Sequence, residues 1–281
     1  MPDILLCGDL DRTILPNGRQ PESPPARPLL RRLAARSGLT LAYVSGRSEG
    51  LLKAAIDEYD IPVPDYAIGD VGTTIYEPRR DWAPWEEWAE EIGRDWKGKT
   101  RQDLADLFSD MPALRLQEPE KQNTFKLSYY TDAEADAKRL KREMSERLSA
   151  EGVRASLIWS VDEQEDVGLL DVLPERATKV HAIRFLMRKK GFSEDRTVFA
   201  GDSGNDLPAL TSGLRAVLVR NARDDVRREV RKTMADKGLE DRLYLARGGF
   251  LGMNGHYAAG VLEGLAHFLP ETRDWMAAED G

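Results

Sequence analysis

The sequence predicts an α/β protein: a doubly wound parallel-sheet core interrupted by an inserted α+β unit. Two observations carry this. Short apolar runs alternate with helix-period segments in both outer parts of the 281-residue chain, and such βαβ alternation calls for a mainly parallel sheet with helices on both faces. The stretch from about Pro78 to Val167 is richer in tryptophan and charge. The length suits about two domains, each large enough for its own core. The expected division is residues 1–77 and 168–281 for the core and 78–167 for the insertion.

The strands of the core are read at Ile4–Cys7, Leu39–Val44, Asp65–Ile68, Leu169–Leu173, Thr197–Ala200 and Ala216–Val219. Between them, Leu29, Leu30 and Leu33 mark one helix face, and Val180, Ile183, Leu186 and Met187 another. In the insertion, Trp82, Trp85 and Trp88 recur every three residues. That spacing fits one face of a helix running to about Trp96. Phe125–Tyr130 alternates like a half-exposed strand. A helix follows, with Asp132 as candidate N-cap, Ala133, Ala137, Leu140, Met144 and Leu148 on one face, and Gly152 at its end. Val153–Trp159 reads as another strand. The tail after Pro270 is expected to fray.

Acidic residues outnumber basic ones, 49 to 41, for a net charge of −8. This balance disfavours nucleic acid or an anionic membrane as the main partner. An anionic substrate must therefore meet local cations. The single cysteine, Cys7, sits in an apolar run and reads as a core residue. The first residues lack a basic n-region, and no stretch approaches the roughly 20 apolar residues of a membrane span. A cytoplasmic protein without a signal peptide is expected.

Four motifs stand at expected strand exits, where open α/β sheets bind ligands. Asp9-Leu10-Asp11-Arg12-Thr13 follows the first strand. Acids two residues apart near a strand end can point the same way, one to attack phosphorus and one to handle the leaving-group proton; a turn acid pair is the plainer role. Val44-Ser45-Gly46-Arg47-Ser48 precedes a helix. Ser45 and the amides beyond it suit phosphate oxygens, or Ser45 is simply an N-cap. Arg47 is either a substrate contact or a structural ion pair. Lys179 opens a helix, an unfavourable place for a cation unless an anion lies near; a solvated lysine is the alternative. Gly201-Asp202-Ser203-Gly204-Asn205-Asp206 gathers two acids and an amide in a glycine-rich turn suited to a hard cation such as Mg²⁺.

In order and spacing, Asp-x-Asp-x-Thr, Ser-Gly-Arg, a helix-start lysine and Gly-Asp-x-Gly-Asn-Asp together resemble the haloacid dehalogenase superfamily of phosphohydrolases, nearly end to end across the core. The position of the insertion resembles its α+β-capped sugar phosphatases. Within these the chain is most similar to the sucrose-6-phosphate phosphatases, through Asp70–Tyr76, Phe125–Tyr129, Leu170–Pro174, Val219–Ala222 and Ala259–Phe268. The resemblance implies a Rossmann-like core. It makes Asp9 the nucleophile and Asp11 the general acid/base. It gives Mg²⁺ to Asp9, the Asp11 carbonyl and Asp202, with Asp206 nearby. Ser45, Gly46, Lys179 and Asn205, with Arg47, would hold the phosphate, and Asn123, Lys126 and Ser128 of the insertion the sugar. Three positions depart from the pattern: Arg12 replaces a frequent glycine, Ser45 a frequent threonine, and Lys121-Gln122 a usual Glu-Gln.

The expected chemistry is hydrolysis of a sugar phosphate through an aspartyl-phosphate. Asp11 must be protonated for the first step, which calls for a raised pKa. The inserted domain would close over the substrate and read the sugar. Sucrose-6-phosphate is the first expectation, mannosylfructose phosphate or another hexose phosphate the next. A non-catalytic sugar-phosphate sensor is the rival from another class. A monomer is expected, and pathway logic suggests a sugar-phosphate synthase as a partner. Gly93–Thr100 matches the P-loop pattern letter for letter, but the charged helical pattern before it is not a buried strand. His181, His256 and His267 show no zinc spacing. The insertion's tryptophans read as packing, with sugar stacking as the alternative.

Overall fold

The computed structural model describes residues 3–162 and 165–277. They form two compact units, Met1–Pro84 with Lys179–Gly281, and Trp85–Thr178. The first unit opens with β1 (Ile4–Gly8), buried at every position. It continues through α1 (Ala26–Ala34), β2 (Leu39–Val44), α2 (Glu49–Tyr59), β3 (Tyr66–Gly69), β4 (Thr74–Glu77) and β5 (Ala83–Pro84). The second unit contains α3 (Glu86–Gly93), α4 (Arg101–Asp106), β6 (Arg115–Leu116), β7 (Leu127–Asp132), α5 (Ala137–Ala150), β8 (Ala155–Asp162) and β9 (Val167–Pro174). The first unit resumes with α6 (Lys179–Lys190), β10 (Thr197–Gly201), α7 (Leu207–Leu210), β11 (Arg215–Leu218), α8 (Asp224–Asp236), β12 (Leu243–Leu245), α9 (Ala258–Phe268) and α10 (Glu271–Ala277).

In the first unit an eight-stranded sheet runs β12-β11-β10-β1-β2-β3-β4-β5. Its strands from β12 to β3 are parallel, and β4 and β5 add an antiparallel edge. The chain winds outward in both directions from β1. The switch point therefore lies between β1 and β10, where such sheets place their ligands. Leu29, Leu30 and Leu33 bury the α1 face as their spacing predicts. On the same sheet α9 lies close against β11: a Cβ on Gly264 would sit 2.3 Å from the Val217 side chain. Buried Glu263 is satisfied by the Tyr244 hydroxyl and the amides of Arg247 and Gly248.

The second unit is an antiparallel sheet, β6-β7-β9-β8, with helices packed on it. Trp96, Leu127, Leu140, Met144, Leu148, Leu170 and Val172 share its core. Asp95 is fully buried there. It accepts from the Arg176 amide at 2.8 Å, from Arg176 Nε at 3.1 Å, and from Arg154.

Several expectations are corrected. The units divide at Pro84 and Lys179, later than residues 78 and 168. The hairpin of β4 and β5 extends the first sheet, and Leu169–Leu173 pairs antiparallel with β7 and β8 instead of joining the parallel sheet. A short, mostly apolar run reads alike in either setting. The three tryptophans do not share a helix face. Trp82 lies in a left-handed turn before the helix, Trp85 caps it, and Trp88 is buried. The cap of α5 is Asp136, which accepts from the Arg139 amide, because β7 runs through Asp132. Residues 271–277 form a helix instead of fraying. Met276 is buried and its carbonyl accepts from Arg32; residues 278–281 of the expected frayed tail lie outside the described residues.

The P-loop look-alike joins two helices. Gly93 ends α3, Lys97 and Gly98 turn left-handed, and Thr100 caps α4. Lys99 pairs with Glu151 at 2.7 Å. No described helix is long and apolar enough to cross a membrane.

Candidate active site

Three loops at the carboxyl ends of the central strands β1, β2 and β10, with the first residue of α6, build the site. The Asp9 amide donates to the Ala200 carbonyl at 2.9 Å, carrying the β1–β10 pairing one residue past the strand. That fixes Asp9 beside the turn after β10, where Asp202 begins. Gly201 must be glycine: a Cβ there would lie 2.7 Å from the Asp206 carboxylate. With that space open, Asp206 folds back over the strand end. Its Oδ2 accepts from the Asp202 and Ser203 amides at 3.1 and 3.2 Å.

Lys179, first residue of α6, donates to Asp9 Oδ1 and Asp206 Oδ1, each at 2.7 Å. Asp9, Asp202 and Asp206 each offer an oxygen within 4.8 Å of the others. Among the described residues this is the one such cluster of acids, cysteines or histidines. Burial pushes the Asp9 carboxyl up to about 7, against the Lys179 charge and helped by Asp206 and Asp202. Burial and Asp206 likewise push Asp202 up to about 6, against Arg12. Burial works against the Lys179 charge, but Asp9 and Asp206 outweigh it and hold the ammonium protonated.

Three near-buried carboxylates thus face one ammonium and, at Asp202, the Arg12 guanidinium. An oxygen-only donor set short of positive charge fits a hard divalent cation. Asp206 already accepts donors on both oxygens, so Asp9 and Asp202 are its freer ligands.

Asp11 lies beside this centre, half-buried. Arg47 donates to both of its oxygens, from Nε at 2.9 Å and Nη2 at 2.7 Å, and Asn17 Nδ2 adds a third bond at 2.7 Å. Burial pushes Asp11 up, but the Arg47 and Asn17 bonds outweigh it and hold the carboxyl below the ordinary range. The expectation of a raised pKa at Asp11 is corrected by this clamp. Of the two roles open to Arg47, the structure places its guanidinium on Asp11.

Ser45 is buried at the tip of β2, its Oγ accepting from the Arg47 amide at 3.2 Å. Gly46 and Asn205 are exposed. In the second unit, Asn123 and Lys126 face each other across an isolated bridge and are half-buried. Ser128 has no exposed surface, and its hydroxyl donates to Asp171 at 2.5 Å. It cannot reach a sugar, which corrects its expected role. Cys7 is buried, and burial pushes its thiol far up. His267 stacks on Tyr244 at 4.4 Å.

Sequence reading missed two residues around Arg12, Asn17 and Asn221. Asn17 accepts from the Arg12 amide at 2.8 Å, Asn221 donates to the Arg12 carbonyl at 2.6 Å, and the Arg12 side chain reaches Asp202. Only Asn221, within Val219–Ala222, carried any signal.

The model of the sucrose-6F-phosphate phosphohydrolase family matches residues 2–269. The chain belongs to that family. It is a haloacid dehalogenase-type phosphatase, a phosphoric monoester hydrolase, with the expected Rossmann-like α/β core. The phosphatase is 60% identical over 274 residues to a putative HAD-like hydrolase of Nitrosococcus oceani, covering 97% of this chain and 74% of that one. It is 29% identical over 235 residues to probable sucrose-phosphatase 2 of Arabidopsis thaliana, covering 80% of this chain and about half, 52%, of the plant protein. The structure of the Synechocystis sucrose-phosphatase in complex with sucrose and phosphate superposes with a TM-score of 0.68 at 27% identity. That likeness covers 95% of this chain and 98% of the other.

Proposed function

We propose that this phosphatase hydrolyses sucrose-6-phosphate to sucrose and phosphate through an aspartyl-phosphate on Asp9. The observation that carries the reading is the Lys179 ammonium bound to both Asp9 and Asp206, with Asp202 beside them. A dianionic monoester repels nucleophiles, so its hydrolysis needs positive charge next to an in-line carboxylate. Lys179 supplies part of that charge and keeps Asp9 aimed. A divalent cation such as Mg²⁺, held by Asp9 and Asp202 and supported by Asp206, would neutralise the remaining charge on the phosphate oxygens.

In the first step a carboxylate oxygen of Asp9 bonds to phosphorus as the bond to the sugar oxygen breaks, and Asp11 gives that oxygen its proton. In the second, water attacks phosphorus, Asp11 takes the water's proton, and the bond from Asp9 to phosphorus breaks. Asp11 must leave the Arg47 clamp to carry a proton. Ser45, the amide of Gly46 and Asn205 hold the phosphate. Asn123 and Lys126 are the remaining sugar contacts; no described group pairs with the Lys126 ammonium.

The reading is supported by the family match and by the Synechocystis relative, whose complex holds sucrose and phosphate. The test is phosphate release from sucrose-6-phosphate, mannosylfructose phosphate and other hexose phosphates, with and without EDTA. Sucrose-6-phosphate should turn over fastest, and EDTA should stop the reaction. Faster turnover of another ester reassigns the substrate. Binding without phosphate release across the panel makes the protein a sensor.

A further inference from the structure

Arg12 stands next to the acid/base, at a position whose backbone favours glycine: its φ is +61°. The strain is held from both sides. Asn17 Oδ1 accepts from its amide at 2.8 Å, and buried Asn221 donates to its carbonyl at 2.6 Å while accepting from the Tyr257 amide at 2.8 Å. This fixed peptide aims the side chain at the acidic centre. Arg12 Nε lies 3.3 Å from Asp202 Oδ2, with Asp202 only 3% exposed and the arginine side chain 40% exposed. Nε is buried and yet makes no properly formed hydrogen bond. The contact is thus one of charge, loosely held, on a side chain with solvent to turn into. The other oxygen of Asp202 has only a long 3.4 Å bond from Thr13.

We propose that Arg12 is a resident counter-cation for Asp202, occupying that carboxylate until a divalent ion displaces it and thereby lowering the protein's affinity for the ion. The proposal rests on the reading of Asp9, Asp202 and Asp206 as a divalent-cation site. It follows from competition: two cations seek one buried carboxylate, and only Arg12 has a second place to go. Its backbone anchors keep it poised to return when the ion leaves.

The test is calorimetric titration of the whole, substrate-free protein with MgCl₂, comparing wild type with Arg12→Gly, Arg12→Ala and Arg12→Lys. Glycine suits the backbone at this position, so Arg12→Gly should fold; thermal denaturation in EDTA checks each variant. Wild type should bind Mg²⁺, and Arg12→Gly and Arg12→Ala should bind about fivefold more tightly, the scale of a half-exposed ion pair. Arg12→Lys should fall between. Equal or weaker Mg²⁺ binding by the folded glycine and alanine variants overturns the proposal. So does an unchanged Mg²⁺ affinity with a raised KM for the ester, which assigns Arg12 to the substrate. Absence of Mg²⁺ binding by wild type itself removes the cation-site reading, and the proposal falls with it.

Discussion

Arg47 closes on both oxygens of Asp11, with Nε at 2.9 Å and Nη2 at 2.7 Å. The clamp keeps Asp11 anionic, because burial alone would raise it. An anionic Asp11 suits the second step of hydrolysis, when it takes a proton, and not the first. On the proposed reading, arrival of the phosphate would offer Arg47 a second, more highly charged partner and so free Asp11 for the first.

Removing the clamp should therefore move a pH profile. In Arg47→Ala, Asp11 loses its strongest donors and burial prevails, so its pKa rises. A general acid fails as pH climbs through its pKa. The alkaline limb of kcat/KM should shift to higher pH. An unmoved limb would show that Asp11 is not the acid.

The metal-free protein should lose stability as pH rises from 4 to 7. Asp9 and Asp202 have folded-state pKa values raised to about 7 and about 6, chiefly by burial, from an unfolded value of 3.8. Between these limits the folded state holds more protons than the unfolded one, so raising pH favours unfolding. The stabilisation is complete below the unfolded pKa and lost as pH passes the folded values. Thermal midpoints in EDTA should fall across this window, and Mg²⁺ should reduce the fall. Parallel curves with and without Mg²⁺ would contradict the reading.

Gly201→Ala places a methyl where the Asp206 carboxylate lies, 2.7 Å away. Overpacking of this kind costs roughly 1–3 kcal/mol. Displacing Asp206 also loosens one of the two anchors of Lys179, so kcat should drop at least tenfold, roughly the loss of one charge-assisted bond. Urea denaturation and initial rates measure the two effects.

In the second unit, Asp95→Ala leaves the Arg176 amide and the guanidinium groups of Arg154 and Arg176 without their buried acceptor. Breaking such a cluster costs about 3 kcal/mol. Urea unfolding should show that loss; a change under half a kcal/mol, the scale of an ordinary surface substitution, would mean the arginines find solvent at no expense.

The sequence made the centre legible because local signals sufficed. Asp9 and Asp202 each sit just past an apolar run, and parallel-sheet topology gathers such strand ends at one edge; Lys179 is marked instead by its place at a helix start. What escaped depended on contacts between distant segments. The Arg47 clamp on Asp11, and the hold of Asn17 and Asn221 on Arg12, leave no periodic trace. Ser128 was misplaced for a related reason: alternation shows that a strand has two faces, but not that the second face is also covered and occupied by Asp171. Leu169–Leu173 kept its strand and lost its sheet, since a short apolar run looks the same beside parallel and antiparallel partners.

The central claim is that Asp9 attacks phosphorus. Asp9→Asn keeps the size of the side chain and removes the nucleophilic charge. Phosphate release from sucrose-6-phosphate by this variant, measured beside wild type with circular dichroism to confirm an intact fold, should fall to the detection limit. Near-normal release by the folded variant would contradict the account.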